Sequence, residues 1–402
     1  MADLTGTSYK VPREAYARIF LRFLKFGLLA WGGPVAQIAM IRQELVEEEK
    51  WISPERFNRV LAVYQVLPGP EAHELCVYFG MVARGRFGAL LAGLGFMLPG
   101  FVLMLLLSWF YTTVGISSPV FQAVFLGMQP AVAALIVRAV HRIGGHALQD
   151  NRWLWGIALG AGLAQLLKTN FLLILLVAGM IHAFVGIRQT KIAFGIGALF
   201  IGWLAVTSLG YISPAVLQNE SVIQASSGSP SILRLLVGGL RAGLLTFGGA
   251  YTAIPFLQHD AVQIGGWMSN AQFLDGLALS GLLPAPLIIF STFVGYIGAG
   301  AWGAVAMTAG VFAPAFAFTM IGHDFLERVI ETQSVHAFLD GVTAGVVGLI
   351  AATALGILNE TVVGIHAWVI FSIALIVLFR SKASWTIAAI ILFAGLYGVL
   401  FL

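Results

Sequence analysis

Runs of about 20 continuously apolar residues recur almost end to end in this chain, and no other feature narrows the choice of fold as far. Gly88–Val114, Val120–Val137, Phe171–Ile187, Ile192–Tyr211 and Trp302–Ile321 are clear examples. A helix of that length crosses about 30 Å of hydrocarbon with its backbone hydrogen bonds satisfied internally. The runs do not alternate apolar with polar residues, so helices suit them and barrel strands do not. Apolar residues make up 59% of the 402 and charged residues only 10%, far from the balance of a soluble domain. The expected fold is an all-α integral membrane protein with a lipid bilayer around it.

Several function classes fall away. Residues 1–26 are polar and basic, with Lys10, Arg13, Arg18, Arg22 and Lys25, and do not read as a cleavable signal peptide. A single cysteine, Cys76, forms neither an intramolecular disulfide nor a cysteine metal cluster. The net charge is +4 and the basic residues are scattered, so no nucleic-acid partner is expected. No phosphate-binding loop, zinc-protease motif or nucleophile elbow is present, and no set of His, Asp and Glu has metal spacing. No cofactor is expected.

The chain contains an internal duplication. Gly32-Gly33 and Gly248-Gly249 stand 216 positions apart, and the same offset pairs Lys25 with Arg241, Gly27 with Gly243, Trp51 with Trp267 and Ser53 with Ser269. It also pairs Phe57 with Phe273, Pro68 with Pro284 and Pro70 with Pro286. After one deletion Gly80 meets Gly295, Gly88 meets Gly303, Pro99 meets Pro314 and Phe101 meets Phe316. The expected organisation is an N-terminal repeat over 1–212, an extracytoplasmic linker over 213–231 and a C-terminal repeat over 232–402.

Charge placement suggests how the repeats face the membrane, because Lys and Arg favour cytoplasmic loops. Seven apolar segments precede the linker, near 15–45, 56–83, 87–114, 119–139, 152–168, 170–187 and 191–211. Six follow it, near 232–258, 270–298, 300–322, 335–357, 365–380 and 384–402. With the N-terminus cytoplasmic, Arg84-Gly85-Arg86, Arg138–Arg152 and Arg188–Lys191 fall inside, and the acidic stretch Glu44–Glu55 falls outside. An odd number of segments inverts the second half, giving about thirteen transmembrane segments in two inverted-topology repeats and an extracytoplasmic C-terminus.

The interruptions within these segments carry the chemistry. Trp31-Gly32-Gly33-Pro34 and Leu67-Pro68-Gly69-Pro70 in the first half match Phe247-Gly248-Gly249-Ala250 and Leu283-Pro284-Ala285-Pro286 in the second. A Pro-x-Pro run cannot continue a helix, yet proline suits the first position of a new one. Pro34, Pro70 and Pro286 are therefore expected to open half-helices. A helix start presents unpaired N–H groups and about half a positive charge, a ready anion site. The simpler reading is that Gly and Pro merely kink or pack membrane helices. Their recurrence in pairs in both halves favours the discontinuous helices of secondary transporters.

Charged and polar residues near the breaks complete the candidate set. Lys25 and Arg241 each precede a Gly-Gly by seven residues, about 10 Å of helix, and could neutralise or attract an anion; the alternative is a side chain reaching out to water. Glu71 and Glu74 lie at i, i+3 after Pro70; Glu71, in the first turn, either caps the helix or occupies the anion site until protonated. His73 could carry a proton, though a lone histidine is often structural. Gln65 and Gln37 are neutral donors. Asp275 and Asp340 read as interfacial residues at helix ends.

At these residues the chain resembles the chromate ion transporter family. The likeness rests on Phe26-Gly27, Trp31-Gly32-Gly33-Pro34-Val35-Ala36, Gln65-Val66-Leu67-Pro68-Gly69-Pro70, Leu98-Pro99-Gly100-Phe101 and Phe247-Gly248-Gly249-Ala250-Tyr251. It covers nearly the whole chain at the length of the two-half members. The resemblance implies an inner-membrane exporter of chromate, a tetrahedral dianion, with the breaks, Lys25 and Gln65 in the family pattern. Glu71, His73 and Glu74 depart from it, since many members carry small residues there. A sulfate or other anion permease, or a channel, shares the same architecture. An intramembrane enzyme built on His73 and Glu74 lacks a nucleophile or metal partner. A homodimer is compatible with this reading.

Overall fold

The structure is a computed structural model that describes residues 11–115, 117–149, 151–208, 229–247, 249–330, 332–381, 383 and 385–402. The described residues form fifteen α-helices, α1 to α15, joined by short π- and 3-10 turns. The linker expected at 213–231 lies almost wholly outside the described residues, as does Gly248. Contacts divide the chain into two compact units, each drawing on both halves of the sequence. One contains residues up to 135, 229–326 and 363–402; the other contains residues from 136 through α8 and 327–362.

In the first unit, α1 (Tyr16–Leu28), α2 (Pro34–Arg42) and α3 (Pro54–Val66) precede the long α4 (Glu71–Phe110). The thirteen residues of α1 rise only about 20 Å, short of a bilayer. The chain then doubles back. Lys25 Nζ on α1 lies 3.1 Å from Glu44 Oε2, beyond α2. Arg22 bonds both Glu14, before α1, and Glu49, after α2, and stacks 5.4 Å over Trp51. Residues 15–45 therefore form a helical hairpin whose tip is the Gly32-Gly33 break. The sequence predicted a single crossing here. The reversal follows from two successive left-handed glycines, with φ of 87° and 79°, which redirect the backbone where an isolated proline would only bend it.

The next segment repeats the manoeuvre. Arg56 Nε, near the start of α3, donates 3.0 Å to Tyr78 Oη on α4, and Phe57 and Trp51 pack on Phe79. Its tip is the Leu67–Pro70 break. The chain then turns sharply inside α4 at Arg84 (φ −148°, ψ 30°) and Gly85 (φ 66°, ψ −160°). Residues 71–83 and 86–110 so pack antiparallel, backbone against backbone, with Gly80 facing Gly88 too closely for any side chain. The stretch after Gly85 is long enough to cross a bilayer.

The second half reproduces this path. α9 (Ile232–Leu244) leads to a 3-10 turn at Ala250–Ala253 and α10 (Ile254–Gln258). Arg241 then bonds Asp260 across the hairpin, and Arg234 stacks 5.4 Å over Trp267. α11 (Asn270–Gly281) and the start of α12 (Phe290–Ile330) form the next hairpin, with Phe273 against Phe290. Ala299 (φ −150°, ψ 35°) and Gly300 (φ 62°, ψ −152°) repeat the turn of Arg84 and Gly85 almost angle for angle. π-helical stretches at Gln43–Glu48 and His259–Ile264, and caps by Ser53 and Ser269, also recur at the repeat offset. α14 (Gly364–Arg380) and α15 (Thr386–Phe401) complete this unit.

These hairpins revise the sequence reading. The segments near 15–45, 56–83, 232–258 and 270–298 are each a hairpin and not a crossing. Tyr16 packs 4.9 Å from Phe87 and lies under Arg84, while Trp51 packs on Phe79. The base of the first two hairpins, including Glu44–Glu55, thus sits at the same end as Arg84-Gly85-Arg86. Charge counting had placed it at the opposite end.

In the second unit α13 (Gln333–Thr361) packs along α6 (Arg152–Leu166) and α7 (Phe171–Gly186), which is followed by α8 (Thr190–Ser208). His182 Nδ1 donates 2.7 Å to Ala337 O, and Gly179 seats the Phe338 ring. This histidine serves packing. α5 (Pro119–Ala147) contains Pro130 yet stays helical.

Candidate functional site

The four sequence breaks are the tips of the four hairpins. Gly33 (φ 79°) is the N-cap of α2, with Pro34 as its first residue, as the sequence predicted. Pro70 and Pro286 sit one position earlier than expected, as N-caps, because the helical turn begins at the residue that follows each. Gly249 (φ 115°) caps the 3-10 turn at Ala250. None of these four starts has a side-chain cap, whereas Ser53, Ser231 and Ser269 cap the starts of α3, α9 and α11. Serines cap the first arm of three of the four hairpins, α1 starting at Ala15 without one, and the tips carry no side-chain cap.

Three of the tips touch one another or a shared helix. Gly69 N–H donates 2.8 Å to Thr246 O, so the second tip of the first half is bonded to the first tip of the second half. Ala285, at the last tip, presses on Gly100 of α4, and the turns at Ala250–Ala253 and Leu287–Ile289 pack together. Thr252 Oγ1 donates to Gly249 O and Thr246 Oγ1 to Ala242 O. Pro68, Gly69, Pro70, Pro284 and Pro286 are buried. The Gly32-Gly33-Pro34 tip is the exception. It borders an open groove of about 580 Å³ lined by Trp31, Ala36, Trp385 and Leu392, and Gln37 Nε2 reaches back to Ala30 O to hold it.

The charged candidates separate. Lys25 is 58% exposed and paired with Glu44; Arg241 is 32% exposed and paired with Asp260, itself buried. Each cation bridges the arms of its own hairpin, below the tip, and the two pairs are related by the repeat. Gln65 is exposed on α3. Glu71 is half-buried, while His73 and Glu74 are fully buried. The His73 ring lies 4.9 Å from that of Phe312 and 4.8 Å from that of Phe316. Both Glu74 oxygens lack a hydrogen-bond partner among the described residues, and the carboxylate lies against Gly69.

Sequence reasoning missed Glu44 and Asp260, although their 216-residue spacing, equal to that of Lys25 and Arg241, was a usable signal. It also misplaced Asp275. This residue is in the body of α11, 6% exposed, bonded to Tyr111 and Gln129, and not at an interface. Its partners lie more than 140 residues away in sequence, where no local pattern reaches.

The sequence pattern described as chromate transporter matches twice, over residues 17–187 and 233–399. The chain belongs to the chromate transporter family. It is therefore a multi-pass membrane protein of a transporter family. A chromate transport protein of Pseudomonas aeruginosa is 53% identical over 96% of this chain and 92% of its own length. A probable chromate transport protein of Synechococcus elongatus is 28% identical over 100% of this chain and 99% of its own. One from Cupriavidus metallidurans, a chromate transport protein, is 27% identical over 94% and 91%. No solved structure matches. In this family member the two matched stretches begin with the paired hairpins of each half, so the repeated unit carries one pair of tips.

Proposed function

We propose that the chain is a secondary transporter that exports chromate across the cytoplasmic membrane, binding the dianion at the hairpin tips. The observation that carries this reading is the set of four helix starts without side-chain caps, two in each half, with the two halves bonded at Gly69 and Thr246. Helix starts suit a tetrahedral dianion because their N–H groups and dipoles favour negative charge without fixing its direction. Identity of 53% to a protein named for chromate transport favours chromate over sulfate.

In this reading nine helical crossings and four re-entrant hairpins replace thirteen crossings. Re-entrant backbone is tolerated at membrane depth where it lines a cavity or is buried in protein. Removing two crossings from each half leaves parity unchanged, so the repeats stay inverted, with the N-terminus cytoplasmic and the C-terminus extracytoplasmic. The first pair of hairpins then enters from the cytoplasmic face and the second from the other. Lys25 and Arg241 stand on opposite approaches to the tips and draw the anion in. The Glu71, His73 and Glu74 group gates the site and links it to protons. An inside-negative potential assists expulsion of a dianion, by about 2.3 kcal/mol per charge per 100 mV.

Uptake of labelled chromate and sulfate into inverted vesicles, with and without an imposed potential, tests this function. Saturable, potential-dependent chromate uptake that Gly33→Leu removes is expected. Sulfate uptake without chromate uptake would overturn the substrate, and non-saturating flux of either would replace the transporter with a channel.

A further inference from the structure

Asp275 takes no part in the tips, yet among the described residues it is the most enclosed carboxylate outside the Glu71–Glu74 group, and its hydrogen bonds are made. It is 6% exposed within α11. Tyr111 Oη donates 2.8 Å to Oδ2, and Gln129 Nε2 donates 3.0 Å to Oδ1. Both donors are neutral. Among the described residues no Lys, Arg or His lies within ion-pair distance. A carboxylate buried in a membrane protein without a countercharge marks a functional position.

The repeat makes the case sharper. Several devices of the scaffold are present twice: the turns at Gly85 and Gly300, the serine caps, the ion pairs below the tips. Among the described residues the Asp275 cluster is present once. Its counterpart at the repeat offset is Arg59, which is exposed, and Gln129 corresponds to Thr343.

The cluster is also wired to a tip. The Tyr111 ring packs 5.0 Å from that of Phe293, in the second arm of the last hairpin, and Phe293 fills the space beside Gly276, one residue after Asp275. Asp275 thus touches the long crossing of the first half through Tyr111, α5 through Gln129, and the hairpin that carries Pro284 and Pro286.

We propose that Asp275 binds and releases a proton during the transport cycle, and that this proton controls the docking of the last hairpin against Tyr111 and Gln129. An ionised carboxylate accepts both bonds strongly; once protonated, it gains an O–H donor and loses its charge, so the bond at the protonated oxygen weakens or reverses. The proton comes from water on one side of the membrane and is returned to water on the other. The proposal rests on the transporter reading above. Among the described residues the titratable groups on elements packed against α11 are Tyr111, Tyr296 across the hairpin, Tyr397 of α15, which bonds His366, Glu71, His73, Glu74, Cys76, Tyr78, Arg84 and Arg86 of α4, and Arg138, His141, Arg142 and His146 of α5. Of these, Tyr111 alone bonds Asp275 among the described residues.

The experiment uses the full chain in proteoliposomes, with a pH dye trapped inside and labelled chromate followed together. Wild type is expected to move protons in a fixed ratio to chromate. Asp275→Asn, which keeps the shape and can keep both hydrogen bonds if the Gln129 amide turns over, is expected to bind chromate as wild type does but to lower that ratio. Asp275→Glu, which restores a titratable group, is expected to restore the ratio with a displaced pH profile. An Asp275→Asn protein with the wild-type ratio overturns the proposal and leaves the transporter reading intact. Wild-type chromate flux with no proton movement overturns proton coupling itself, and an absence of chromate flux overturns the reading beneath it.

Discussion

The carboxylate of Glu74 lies against the backbone of Gly69: a Cβ built on Gly69 comes within 2.8 Å of Glu74 Oε1. The side chain that closes the second tip of the first half thus occupies the space a methyl group would need. It faces the backbone just before the start of α4. Glu74→Gln keeps the shape and removes the exchangeable proton. The expected result is chromate binding with a flattened pH dependence. An unchanged pH profile would make Glu74 a packing residue.

Gly69→Ala meets two obstacles together, the Glu74 contact and a backbone φ of 153°. Strain of this kind costs on the order of 1–3 kcal/mol and would displace the Thr246 bond. Chromate flux is expected to fall while the protein still folds, read as a monodisperse detergent-solubilised sample. The double variant Gly69→Ala with Glu74→Ala, which clears the space, is expected to recover part of the flux.

The turn and the close approach inside α4 separate two glycine roles. At Gly85 a Cβ meets nothing within 4 Å, so Gly85→Ala carries only the cost of a backbone conformation that suits glycine, on the order of 1–3 kcal/mol. At Gly80 a Cβ collides with the Gly88 carbonyl and with Ala92. Gly80→Val is expected to abolish folded expression, whereas Gly85→Ala lowers the melting temperature by a few degrees; fluorescence-detected size exclusion with heating distinguishes them.

The two repeated ion pairs differ in burial, and their variants should differ accordingly. Lys25 is mostly exposed, so Lys25→Gln is expected to cost under about 1 kcal/mol of stability. Arg241→Gln leaves the buried Asp260 with the more distant His259 ring, 3.5 Å away, in place of the guanidinium and is expected to cost roughly 3 kcal/mol, recovered in part by adding Asp260→Asn. Reversal of either cation to Glu is expected to abolish chromate binding, since it sets a negative charge on the approach to the tips. Retained affinity would remove both residues from the site.

The breaks, the duplication and the helical class were legible because each depends on local chemistry: Gly and Pro dictate backbone geometry wherever they stand. The hairpins were not. A run that reverses at Gly32-Gly33 is as apolar as one that crosses, and the pairings of Lys25 with Glu44 and of Arg22 with Glu14 and Glu49, set by tertiary packing, tell them apart. The same ambiguity sent Glu44–Glu55 to the wrong end of the molecule. Asp275 looked interfacial because a lone charge in an apolar helix has no visible partner until Tyr111 and Gln129 arrive from distant helices.

Site-directed thiol labelling tests the central claim, that tips enter from both faces and meet. In a Cys76→Ser background, Lys50→Cys, Arg86→Cys and Gln263→Cys are each exposed to a membrane-impermeant reagent in intact cells and in inverted vesicles. Lys50→Cys and Arg86→Cys are expected to label from one face, the cytoplasmic one, and Gln263→Cys, at the base of the matching hairpin of the second half, from the other. Labelling of Lys50→Cys and Arg86→Cys from opposite faces would restore the single crossings and contradict the hairpins.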